Sequence, residues 1–138
     1  MEDILLDIHG IAQGGDGVGR VDGMVVFVNG ALPGEQVLVQ ITERRQTYVR
    51  GTVLEVVTPS PDRVVPLTAD DGHASWQHIA YPAQLKLKEL IVREQLAKLA
   101  GLSDPPIKPV IPAPQPWGYR NTARLHVADG KIGYHYSG

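Results

Sequence analysis

Through residue 58 the chain alternates apolar and polar positions with a period of two, broken at short intervals by glycine and proline. In ILLDI, Ile4, Leu6 and Ile8 fall on one face. MVVFV is a β-branched and aromatic run. EQVLVQI sets Val37, Val39 and Ile41 on one side, and YVRGTVLEVV repeats the pattern over a longer span. Each reads as a strand, because side chains of an extended chain point alternately to opposite faces. The separators carry turn chemistry: the glycine-rich opening loop, VDGM, LPGE and the polar ERRQT. Four or five short strands in this space predict a small five-stranded barrel, of the OB or SH3-like kind, over residues 1–58.

The stretch GGDGVGRVDG, Gly14 to Gly23, has five glycines among its ten residues. A glycine loop that cradles a phosphate leaves a strand and opens a helix, whose first amides meet the anion. Here RVDGMVVFV comes next, which is strand pattern, and no Gly-Lys-Ser/Thr appears. The loop is therefore predicted to connect strands. Arg20, at its exit, is placed to touch a backbone phosphate.

Beyond the barrel the periodicity changes. Residues 59–74 read as an irregular linker. YPAQLKLKELIVREQLAKLAG reads as a helix, with Pro82 in the first turn, Leu85, Ile91, Val92, Leu96 and Leu99 near helical spacing, and Gly101 as the stop. PPIKPVIPAPQP is half proline and should be an extended, stiff connector. NTARLHVADGKIGYHYSG predicts a β-hairpin around the turn Asp129-Gly130. Pairing across that turn sets Val127 opposite Ile132 and Ala128 opposite Lys131. One face then carries Ala123, Leu125, Val127, Ile132, Tyr134 and Tyr136; the other carries Arg124, His126, Lys131 and His135. The fold class is α+β, mainly β with one helix.

Composition narrows the function classes. At 138 residues and 43% hydrophobic content, the chain can build one core, or a small barrel with an appendage. That is too short for a barrel together with a separate cofactor-binding α/β domain. No run approaches the ~18 apolar residues of a membrane span. MEDILLDIHG carries acids where an export signal would carry bases. A cytoplasmic location without a membrane partner is expected. There is no cysteine, which removes disulfides, thiolate metal ligands and thiol nucleophiles. The net charge of −2 divides unevenly: residues 1–60 hold eight acids and four arginines, whereas residues 61–138 hold nine bases and seven acids.

No catalytic constellation is present. His73 and His78, with Asp70 and Asp71, form the one local cluster; the spacing is poor, and the two histidines do not stand at the i, i+4 pairing of a zinc site. No metal is expected. What remains is a recognition surface, since arginines pair with phosphates and aromatic rings stack on unpaired bases. RRQTYVR supplies Arg44, Arg45, Tyr48 and Arg50. PWGYRNTAR supplies Trp117, Tyr119, Arg120, Asn121 and Arg124. Lys131 joins Arg124 on a hairpin face without acids, which favours an anionic partner. Phe27 is a stacking candidate too, but its apolar strand predicts that it is core.

These residues carry a resemblance. GGDGVGRVDGMVVFVNGALPGEQVLVQITE resembles a TRAM domain, the small OB-like RNA-binding barrel. SPDRVVP, WQHIAYPAQLKLKELIVREQLAKLAG and PWGYRNTARLHVADGKIGYHYSG resemble the N-terminal half of the bacterial RNA uracil-C5 methyltransferases. The resemblance spans essentially the whole chain. It implies an RNA-holding barrel over residues 1–58 and the beginning of a central domain over residues 75–138. It also implies a further, S-adenosylmethionine-binding domain whose cysteine attacks C6 of uracil, after which a base removes the C5 proton. The partner would be rRNA or tRNA, together with that catalytic domain. Many members carry iron–sulfur cysteines in a CGGC pattern before the QH; here DGHA, Asp71 to Ala74, stands in their place, so that cluster cannot form. These residues hold no cysteine nucleophile either, so they are expected to bind RNA without catalysing its methylation. Two other readings compete. A free-standing single-stranded RNA-binding module would lose affinity steeply with salt. A barrel without an RNA role would bind no RNA at all.

Overall fold

The computed structural model describes residues 2–67 and 75–134. Five strands close into a barrel: β1 (Asp3–Ile11), β2 (Gly17–Val21), β3 (Met24–Asn29), β4 (Gln36–Arg44) and β5 (Tyr48–Thr58), in spatial order β1-β2-β3-β5-β4. All neighbours are antiparallel except β3 and β5, which run parallel. Strand β1 closes the circle by serving two partners. Asp3–Asp7 pair with β4, and past a bulge after Ile8 the strand turns to β2.

The period-two pattern becomes the inside of the barrel. Leu6, Ile8, Val26, Val28, Val37, Val39, Ile41 and Val49 form its core. Two glycines let strands lean inward. A Cβ on Gly51 would stand 2.4 Å from Val39 Cγ1, and one on Gly19 would stand 2.7 Å from Leu6 and from the Asp7 carbonyl. The glycine-rich stretch is thus a packing and turning device that runs into strand β2, not into a helix.

Residues 59–67 do not drift away from the barrel. Arg63 bridges to Ile79, Val64 N–H donates to the His78 carbonyl at 2.9 Å, and Ala80 N–H donates to the Asp62 carbonyl at 2.8 Å. A second small core of Leu32, Ile79 and Ala83, flanked by Trp76 and Leu87, joins this segment to the barrel and to helix α1 (Tyr81–Ala100). Pro82 lies in the first turn as predicted, and Gly101 ends the helix in the left-handed region at φ 68°. Gln84 ties the helix start down by donating to the carbonyls of Trp76 and Ile79.

The proline-rich segment is extended and runs back along α1. Val110 N–H donates to Glu89 Oε1 at 2.9 Å, and Ala113 N–H donates to the Tyr81 hydroxyl at 2.8 Å. The hairpin comes next as β6 (His126–Ala128) and β7 (Lys131–Gly133), in the predicted register: Val127 opposite Ile132, Ala128 opposite Lys131. Its strands are shorter than the pattern suggested. Val127 and Ile132 stand 72% and 70% exposed, and Val92 and Leu99 on α1 are also uncovered. Among the described residues no helix is long and apolar enough to cross a membrane.

Candidate nucleic-acid interface

The outward-pointing positions of β2, β3, β5 and β4 form one continuous surface. Cross-strand register places Val18, Phe27, Arg50 and Glu43 in one row and Arg20, Val25 and Tyr48 in the next. Phe27 was expected in the core and is not there. Its neighbours Val26 and Val28 take the inward positions and are fully buried, so strand alternation turns Phe27 outward, where it is half-buried. MVVFV is apolar at every position, so its own sequence does not reveal which parity faces in.

On that surface the Phe27 and Tyr48 rings meet edge to face, with centroids 5.8 Å apart and planes at 70°. The Arg50 guanidinium lies 5.4 Å from the Phe27 centroid and 5.5 Å from that of Tyr48. Both distances are within cation–π range. Arg50 also donates to Asp16 Oδ2 at 3.0 Å, so the β1–β2 loop helps to hold it. Arg45, in the β4–β5 loop, pairs with Glu43, which lies 3.9 Å from Arg50 as well. The Glu43 carboxylate raises the pKa of Arg45 and keeps it charged. The site therefore gathers two rings, two guanidiniums and the two loops that flank the ligand face of OB-type barrels.

The predicted arginine cluster is divided. Arg45 and Arg50 share this surface with Tyr48. Arg44 pairs with Val49, an inward residue, and its guanidinium bonds Glu2 at the end of the barrel. Arg20 is exposed on β2, its side chain 3.5 Å from the Gly23 carbonyl. In the C-terminal part, Asn121, Arg124 and Lys131 are exposed. Trp117, Tyr119 and Arg120 lie along a groove of about 790 Å³ that is also lined by Trp76, Tyr81 and Lys88. Asp70, Asp71 and His73, the DGHA stretch, His135 and Tyr136 lie outside the described residues. Among the described residues no group of acids and histidines is arranged to hold a metal.

Sequence reasoning missed the residue that fixes the barrel to the segment after β5. Glu35, in the LPGE turn, has a fully buried side chain. Its carboxylate accepts from Arg63 Nε at 2.6 Å, from the second Arg63 nitrogen at 2.9 Å, and from the Leu32 and Ser60 amides. Burial alone would push this carboxyl up. The hydrogen bonds from Arg63, Leu32 and Ser60 outweigh it and hold the pKa below the ordinary glutamate value. Arg63 also donates to the Gly30 carbonyl at 2.6 Å. The signal available in sequence was only an acid in one turn and a base 28 residues later, with nothing local to join them.

The model of the TRAM domain matches residues 2–54. An uncharacterized RNA methyltransferase of Gloeobacter violaceus is 39% identical over 128 residues, covering 90% of this chain and 28% of that protein. The 23S rRNA (uracil(1939)-C(5))-methyltransferase RlmD of Methylococcus capsulatus is 41% identical over 127 residues, with the same coverage of 90% and 28%. Among solved structures, the Pyrococcus abyssi tRNA (uracil-54, C5)-methyltransferase, in complex with S-adenosyl-L-homocysteine, superposes with a TM-score of 0.59 at 27% identity. That match covers 94% of this chain and 28% of that one. The chain thus spans a little over a quarter of the length of the relatives it matches.

Proposed function

We propose, from the premise that the chain belongs to the TRAM-bearing RNA methyltransferases as their N-terminal part, that it grips RNA for uracil-C5 methylation through the outer face of its barrel. The observation that carries this reading is the grouping of Phe27, Tyr48 and Arg50. Two rings and a guanidinium, partly exposed and beside two loops, offer a stacking platform for an unpaired base and a donor for the phosphate next to it. The ion pairs of Arg45 and Arg50 do not argue against this role. Surface pairs are worth about 0–1 kcal/mol, so a phosphate can replace the carboxylate at little cost.

Methyl transfer itself is assigned to residues other than these. The glycine-rich loop opens into β2 and presents no helix N-terminus to an anionic or nucleotide-like cofactor. No residue of the chain is a cysteine. The work of the described residues is to bind and orient RNA. Photo-crosslinking of the chain to single-stranded RNA, combined with peptide mapping, tests the reading. Crosslinks on the β3 and β5 peptides that hold Phe27 and Tyr48 support it. Crosslinks confined to other peptides, or none, contradict it.

A further inference from the structure

The groove beside α1 has a composition unlike that of a solvated cleft. Trp76, Tyr81, Trp117, Tyr119 and Tyr134 bring five aromatic rings to it, Lys88 and Arg120 bring two cations, and among the described residues no Asp or Glu lines it. Trp117 and Tyr119 are 45% and 65% exposed, so their faces are available. An apolar protein segment would find such rings but would leave the cations unpaired. An unpaired nucleotide satisfies both, since its base stacks on the rings and its phosphate meets the guanidinium or ammonium.

The groove also adjoins the barrel surface through one loop. Trp76 Nε1 donates to the Gly15 carbonyl at 3.1 Å, and the next residue, Asp16, accepts from Arg50 at 3.0 Å. Gly15 admits the indole because it has no side chain: a Cβ there would stand 2.5 Å from Trp76 Nε1. Trp76 of the groove and Arg50 of the barrel cluster thus both bond the same short stretch, Gly15–Asp16.

We infer that the groove is a second RNA subsite, which takes one unpaired base of a strand that continues from the barrel face across the Gly15–Asp16 loop. This rests on the barrel reading above, but its test is separate. The chain has two tryptophans, Trp76 and Trp117, and both line the groove. Indole emission therefore comes from residues that line the groove, whereas the Phe27–Tyr48–Arg50 cluster holds no indole.

The experiment titrates the full chain with a labelled oligouridylate of about eight nucleotides, within the span an OB-type barrel covers. It reads label anisotropy and tryptophan emission together. A sugar–phosphate strand of equal length without bases serves as control. The expected result is binding with quenched indole emission for the oligouridylate, and no quench from the baseless strand. Trp117→Ala and Arg120→Ala, both at exposed positions, should each weaken binding about tenfold. Tyr119→Ala, which leaves both indoles in place, should do the same. If anisotropy reports binding while emission and all three variants stay at wild-type values, the groove takes no base; it is then left to a protein segment, and the barrel reading stands. If anisotropy reports no binding to any strand, both readings fail.

Discussion

Arg63 and Glu35 form a forked pair, two guanidinium nitrogens on two carboxylate oxygens at 2.6 and 2.9 Å, with the Glu35 side chain fully buried. The pair fastens the segment after β5 to the turn before β4, and through Ile79 it sets where α1 begins. Removing one partner strands the other in a low-dielectric site. Arg63→Ala should cost about 3–5 kcal/mol, read as a drop in the urea midpoint. A change within about 0.5 kcal/mol, the size of an ordinary surface substitution, would show that the pair does not hold the segment.

The same pair gives a pH dependence of defined sign. The folded pKa of Glu35 is depressed, so its contribution to stability is full above the unfolded value of about 4.5 and fades as pH falls through the lower folded value. Wild-type stability should therefore decline from about pH 4.5 downward. Glu35→Gln, already lacking the charge, should be less stable at neutral pH and decline less on acidification. Urea midpoints between neutral and acid pH check this, and parallel curves for the two proteins would refute it.

Two adjacent glycines separate backbone strain from steric fit. Gly14 and Gly15 both have φ of 98°, but a Cβ on Gly14 meets open space, whereas one on Gly15 meets the Trp76 indole. Gly14→Ala should cost about 1–2 kcal/mol from its backbone alone. Gly15→Ala should cost more and should also shift the tryptophan emission as the indole leaves its carbonyl partner. Equal costs and an unchanged spectrum for both would mean that Trp76 does not pack there.

The division of the arginines predicts unequal effects on RNA binding. Arg50→Ala removes a guanidinium that faces two rings, so it should weaken binding and lower the salt slope by about one. Arg44→Ala removes a group bonded to Glu2 at the barrel end and should change affinity less. Binding curves at several salt concentrations distinguish the two. Equal losses would return Arg44 to the site.

How much the sequence disclosed depends on how far apart the partners lie. Ile4, Leu6 and Ile8 or Val37, Val39 and Ile41 state their inward face because polar residues, Asp7 in the first strand and Gln36 and Gln40 in the second, stand at the opposite parity. Asp129-Gly130 sets the hairpin register because both residues adopt positive φ, 52° and 73°, as a two-residue turn requires. Pro82 and Gly101 mark the helix by local chemistry alone. Phe27 was misplaced because an all-apolar strand has no polar neighbour to show parity; only its pairing with Val18 and Arg50 does. Glu35 with Arg63, and Gly15 with Trp76, are 28 and 61 residues apart, so no local pattern could join them. The candidate recognition residues were legible as residue types. Their division into a barrel face, a groove and a separate Arg44 was not, because strand register decides it.

The most direct test of the central claim is the affinity of the chain for a labelled single-stranded RNA, measured by anisotropy for wild type and for the Tyr48→Ala/Arg50→Ala double variant. Losing one ring and the guanidinium should cost about tenfold or more in affinity, given the usual worth of a stacked base and a phosphate contact. Equal affinity in the two proteins would mean that the outer face of β3 and β5 does not hold RNA.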